Sequence, residues 1–115
     1  MKNNESKLQQ ACVRWFRFNY PSMRNLLFAI PNGGLRNIKT AVRLKAEGVV
    51  AGVPDLFLAL ATEQSPGLFI EMKFGENEQT EAQKIMQREL TGQNFEYSVC
   101  YTIDEFMTTI KTYLQ

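Results

Sequence analysis

The sequence predicts an α/β fold, a central mixed β-sheet flanked by helices, in the order α-β-α-β-β-α-β-α. Three observations carry that expectation. Apolar residues recur at helical spacing in several stretches, and short apolar or alternating runs separate them. Two of those runs, "DLFLALA" and "GLFIEMKF", follow one another with only the turn-rich "TEQSPG" between them. The chain has 115 residues, 44% apolar and 22% charged, which suits one domain over 1–115 with one hydrophobic core.

Each element has its own signal. Residues 4–18 predict a helix with Leu8, Ala11, Cys12, Trp15 and Phe16 on one stripe and Asn3 or Asn4 as its cap. Pro21 disfavours helix at Tyr20 and ends it. "LLFAI" (26–30) predicts a buried strand, and "PNGG" (31–34) a turn that Gly33 and Gly34 free from the usual φ limits. Residues 36–47 predict a helix with Ile38, Ala41, Val42 and Leu44 inward and Arg36, Lys39, Arg43 and Lys45 outward, stopped by Gly48 at C′. Strands follow at 55–61 and 67–74. A capping box, Thr80 with Gln83, opens a helix over 81–91 that Gly92 ends. "FEYSVCY" (95–101) alternates like a strand. A second box, Thr102 with Glu105, opens the last helix, 103–114. There is no repeat, low-complexity tract or linker.

Composition removes whole classes of chemistry. The sequence has no histidine, which excludes Ser-His-Asp and Cys-His catalysis, histidine-ligated zinc and a histidine general base. Any catalysis must run on carboxylates, lysine, hydroxyls or a metal held by oxygen. Cys12 and Cys100 stand far apart in apolar contexts and read as buried free thiols, which suits a reducing cytoplasm. No apolar run approaches the roughly 20 residues of a membrane span, and the polar start "MKNNESKLQQ" does not resemble a signal peptide.

Charge is divided unevenly. Residues 1–54 carry nine Lys/Arg against Glu5 and Glu47, a balance of +7, and residues 55–115 carry four against ten acidic residues, −6. Solvated helix faces explain part of this. The concentration on two helices and a loop points to a surface for a polyanion.

The segment from Gly52 to Phe74 puts three charges where a core belongs. Side chains alternate along a strand, so Glu71 and Lys73 share a face with Phe69, while Leu68, Ile70, Met72 and Phe74 line the other. Asp55 opens the preceding strand, after Pro54. Antiparallel pairing of the two strands places Asp55 beside Glu71 and Lys73. Carboxylates held together repel, and burial raises the cost. One protonates, both pair with the lysine as a structural ion cluster, or both grip a divalent cation. Mg²⁺ prefers oxygen ligands and takes one or two carboxylates. A lysine beside them orients a water or offsets charge on a phosphoryl group.

This pattern, D-x(15)-E-x-K after a proline, resembles the PD-(D/E)xK nuclease superfamily and its restriction-endonuclease-like fold. "FAIPNGG", a basic helix, "GVPDL", "FIEMKFG" and "TEAQ" in that order are similar to the VRR-NUC family over roughly residues 5–105. That family includes the C-terminal nuclease domain of the Fanconi-associated nuclease and short stand-alone proteins of phages and bacteria; this chain resembles the short kind. The resemblance implies that Asp55, Glu71 and the Met72 backbone carbonyl hold Mg²⁺ or Mn²⁺ and that Lys73 is the catalytic lysine. Glu5 matches an acidic residue on the family's first helix. It also lies on the Leu8/Cys12 stripe, and a first-turn glutamate is favoured by the helix dipole in any case. Gln83 matches the family's glutamine, and a capping box accounts for it equally. Asn32 either shapes its loop or touches a DNA backbone. The Val-Arg-Arg triplet is absent, and "AVRLK" (41–45) keeps only Arg43.

The activity so implied is metal-dependent hydrolysis of DNA phosphodiesters. Arg14, Arg17, Arg36, Lys39, Arg43 and Lys45 would contact phosphates without reading bases. The stand-alone members imply a homodimer acting on branched DNA such as a Holliday junction, in the cytoplasm of a bacterial or phage-infected cell, with no membrane partner. The alternatives are a catalytically inactive nucleic-acid-binding module on the same fold and a protein-interaction domain with a charged core.

Overall fold

The structure, a computed structural model, describes residues 2–31 and 37–115. Asn32 and Arg36, two of the expected DNA contacts, and the glycines of "PNGG" lie outside the described residues. Helix α1 (Lys2–Asn19) leads through a 3-10 helix (Pro21–Leu26) to strand β1 (Leu27–Ala29). Then come α2 (Ile38–Ala46), β2 (Leu56–Leu58), β3 (Leu68–Met72), α3 (Glu81–Gly92), β4 (Glu96–Cys100) and α4 (Ile103–Tyr113). The expected order holds, with the 3-10 helix added. Among the described residues, no helix is long and apolar enough to cross a membrane.

The four strands form one mixed sheet in the order β1-β2-β3-β4. β1 and β3 each pair antiparallel with β2, with Leu27 opposite Leu58 and Leu56 opposite Ile70. β4 runs parallel to β3, with Met72 opposite Cys100. One sheet face carries Leu27, Leu56, Leu58, Leu68, Ile70, Met72 and Cys100, and α1 and α4 close it with Cys12, Phe16, Phe106 and Ile110. These side chains are almost fully buried. Burial of each large one contributes about 1.5–3 kcal/mol. The other face begins with an aromatic cluster, Phe57 on Phe69 at 4.3 Å and Phe95 edge-on to Phe69 at 5.1 Å between ring centroids.

Local chemistry explains the boundaries. α2 is capped by the Asn37 side chain, which accepts from Thr40 N–H at 2.8 Å, so it starts two residues later than expected. Gly48 (φ +107°) closes it as foreseen: Gly48 N–H donates to Lys45 C=O and Val49 N–H to Leu44 C=O, the paired bonds of a Schellman turn. Both bonds of the Thr80/Gln83 box are present at α3. At α4 only half of the expected box forms. Thr102 accepts from Glu105 N–H, but the Glu105 carboxylate reaches past it to Tyr101 N–H at 2.7 Å.

Several expectations are corrected. Asn3 and Asn4 lie inside α1 rather than capping it; helical asparagine costs only a few tenths of a kcal/mol. "LLFAI" buries Leu27 but leaves Phe28 45% exposed: β1 is an edge strand, and Phe28 meets Phe57 only edge-on, at 5.8 Å between ring centroids. The inward stripe of α2 fails: Ile38 is 82% exposed, Val42 62%, and Ala41 is exposed too. Among the described residues, α2 has no extensive packing against any other element, so its periodicity has no surface to bury. β3 stops at Met72, and Phe74 stands 40% exposed just before Gly75 (φ +66°) turns the chain away. α3 runs through Gly92, and the left-handed residue is Asn94 (φ 71°), a conformation asparagine tolerates.

Candidate active site

The β2–β3 register sets the site. With Leu56 opposite Ile70, the next pair along the ladder is Asp55 and Glu71. The Asp55 carboxylate accepts Met72 N–H at 2.7 Å, and its backbone C=O accepts Ile30 N–H at 2.8 Å. It is therefore tied to both neighbouring strands. The loop that delivers it needs Gly52. That residue has φ +90°, and a Cβ there would stand 2.4 Å from Ala82 C=O in the first turn of α3. "GVPD" is thus keyed to the start of α3, not only to the sheet.

Glu71 is fully buried. One oxygen, Oε1, accepts from the Tyr97 hydroxyl at 2.5 Å and from Gln79 Nε2 at 3.2 Å. Gln79 Nε2 also donates to Gln87 Oε1 on α3 at 2.9 Å. The other oxygen, Oε2, is buried without a hydrogen bond. Lys73 Nζ lies 3.4 Å from it, near enough for an ion pair but not aligned as a hydrogen bond. Lys73 is itself 8% exposed, and its backbone N–H is fixed by Cys100 C=O at 2.9 Å. A buried carboxylate oxygen with so little compensation is costly.

The electrostatics agree. Burial pushes the Asp55 carboxyl above its ordinary value; the Met72 N–H opposes this, and the charges of Glu5 and Glu71 add to the rise. Burial, then the Glu71 carboxylate, pushes the Tyr97 hydroxyl well above the usual phenol range, so it stays a donor. Two crowded carboxylates, one with an orphaned oxygen, form an all-oxygen donor set that fits a hard divalent cation. Among the described residues, no third acidic, histidine or cysteine side chain completes a three-ligand cluster. Glu5 thus contributes charge rather than a neighbouring donor. It stands in a groove of about 500 Å³ along α1 that also takes in Gln9, Gln10, Arg14 and Arg17.

The structure therefore brings Asp55, Glu71, Met72 and Lys73 together, with Glu5 within electrostatic reach. It does not bring Gln83 to the carboxylates: its Oε1 accepts Thr80 N–H at 2.8 Å, in the helix cap. Lys39, Arg43 and Lys45 are exposed on α2, and Arg43 is engaged by Glu47 at 3.0 Å. Tyr97, Gln79 and Gln87 escape sequence reasoning. Tyr97 alternates onto the face of Phe95 and Val99, but only the parallel pairing with β3 carries it to Glu71. Gln79, in the polar run before α3, has no local signal at all.

A mixed sheet with Asp at one strand end and Glu-x-Lys on its antiparallel neighbour makes this an α/β domain with a charged cluster at adjoining strand ends. The chain belongs to the VRR-NUC family: the VRR-NUC domain model matches residues 1–103. A solved structure described as a VRR_NUC domain protein superposes with a TM-score of 0.83 at 26% identity, covering 96% of this chain and 87% of that one. No curated protein matches the sequence. Membership implies a nuclease-type function with DNA as the substrate.

Proposed function

We propose that the protein is a Mg²⁺- or Mn²⁺-dependent DNA endonuclease that works as a single domain over residues 1–115, paired as a homodimer, on branched DNA such as a four-way junction. The observation that carries this reading is the meeting of Asp55 and Glu71 at adjoining strand ends, with Glu71 Oε2 buried, unbonded and beside Lys73. Asp55, Glu71 and the Met72 carbonyl would hold the cation, which supplies charge stabilisation at the scissile phosphate when bound. Lys73 orients the attacking water by donating to its oxygen, and its positive charge offsets charge growing on the phosphoryl oxygens. Glu5 keeps the approach acidic from α1, and Gln83 supports the site through the α3 cap. Arg14, Arg17, Lys39, Arg43 and Lys45, with Asn32 and Arg36, grip phosphates without reading bases, so affinity falls steeply with salt.

The molecule is 43 Å in its longest dimension, about a dozen base pairs at the duplex rise. One copy thus spans little of a junction, and two copies supply two cuts. The test is a cleavage panel of linear, flap, splayed and four-way DNA with Mg²⁺ or Mn²⁺. Metal-dependent cutting of branched DNA that disappears in Asp55→Ala supports the reading. Cutting that persists in EDTA or in Asp55→Ala overturns it. Light scattering at micromolar protein tests the dimer: symmetric junction cutting by a monomer would remove it. Lys73→Ala should retain DNA binding and lose cleavage.

A further inference from the structure

We infer that Tyr97 and Gln79 are positioning residues: by holding Glu71 Oε1 together, they commit the opposite oxygen, Oε2, to the cation. The inference rests on the proposed metal-dependent reading of the same site. The last torsion of a glutamate is broad and two-fold, so an unrestrained Glu71 would present either oxygen at many angles. Here it has no such freedom. Tyr97 on β4 donates to Oε1 at 2.5 Å, and Gln79 donates to the same atom at 3.2 Å. The Gln79 amide is oriented in turn, because Nε2 also donates to Gln87 Oε1 at 2.9 Å. Both protons of that nitrogen are thereby assigned, one to Glu71 and one to α3. Oε2 is left without a hydrogen bond, facing Lys73 Nζ.

The same helix sets the other carboxylate, since Gly52 seats the Asp55 loop against Ala82 of α3. The α3 segment thus acts as a jig for the spacing of Asp55 and Glu71, with Gln79 and Gln87 as its contact on one side and Gly52 on the other. Partners that orient a ligating carboxylate typically change metal affinity or activity by about 10–100-fold.

The test is Mn²⁺ binding without DNA, by calorimetry and by electron paramagnetic resonance, on wild type, Asp55→Ala, Tyr97→Phe and Gln79→Ala. Tyr97→Phe removes one hydroxyl and is expected to weaken Mn²⁺ binding about tenfold or more, with Gln79→Ala a smaller loss. Cleavage by both should recover toward the wild-type kcat as Mn²⁺ is raised. A purely structural role predicts a lower melting temperature in EDTA with the wild-type Mn²⁺ affinity, and that result overturns the inference. Gln79→Ala decides the matter alone if Tyr97→Phe fails to fold. If wild type binds Mn²⁺, Asp55→Ala does not and the two variants match wild type, only the positioning role falls. If wild type binds no Mn²⁺, the metal-dependent reading falls and takes this role with it.

Discussion

The two faces of β3 are built from alternate residues of one five-residue strand, and burial means opposite things on them. Leu68, Ile70 and Met72 bury apolar surface against α1 and α4, and every buried atom there adds to stability. Glu71, on the opposite face and just as deeply buried, leaves one carboxylate oxygen unbonded and forces Asp55 to share its neighbourhood. One face holds the fold together. The other carries, beside Phe69 and its aromatic neighbours, a buried carboxylate whose charge is only partly compensated. Such local conflict is what a functional site looks like in an otherwise consistent structure.

Substitutions can separate the two faces. The largest effect should come from Ile70→Ala, which opens a cavity in the apolar layer and costs about 2–5 kcal/mol in denaturant unfolding; cleavage per folded molecule should stay near wild type. Asp55→Asn should do the reverse. Cleavage falls by a hundredfold or more, about 2.7 kcal/mol of barrier, while the protein stays folded. Loss of stability in Asp55→Asn would break the contrast. Next, Thr80→Ala removes the α3 cap and should cost about 1 kcal/mol, with a smaller loss of Mn²⁺ affinity because α3 carries Gln87.

The smallest effect is a pH dependence in EDTA. Asp55 has a folded pKa raised above its unfolded value, first by burial. The folded state therefore holds this proton more tightly, and ionisation of Asp55 subtracts stability as pH rises above the unfolded value of 3.8. Metal-free Asp55→Asn should then melt above wild type at neutral pH, with the difference shrinking as pH falls through that value. Equal melting temperatures at neutral pH would mean that Asp55 is not under strain.

Much of the fold could be read along the chain. The order of helices and strands, the Thr80/Gln83 box and the Gly48 stop follow from local features and appear in place, although the strand expected over 55–61 pairs only over Leu56–Leu58. Misreadings arose where a local pattern needed a distant partner. α1 and α2 show the same apolar spacing, but α1 lies on the sheet and α2 leaves Ile38 and Val42 in solvent. The Asp55–Glu71–Lys73 group was readable because one short turn joins its two strands. Its supports were not. Tyr97 lies 26 residues from Glu71, and a parallel register, which no turn dictates, brings them together.

Residue chemistry and short-range spacing thus determined which reactive groups meet: a carboxylate pair and one lysine on neighbouring strands, in a sequence without histidine. Long-range packing decided which oxygen of Glu71 lacks a hydrogen bond, which helix the Asp55 loop and Gln79 meet, and which apolar stripe stays exposed. The division has a physical cause. Backbone preferences act over a few residues, whereas burial and hydrogen-bond satisfaction depend on what the folded chain brings within about 3 Å from anywhere along its length.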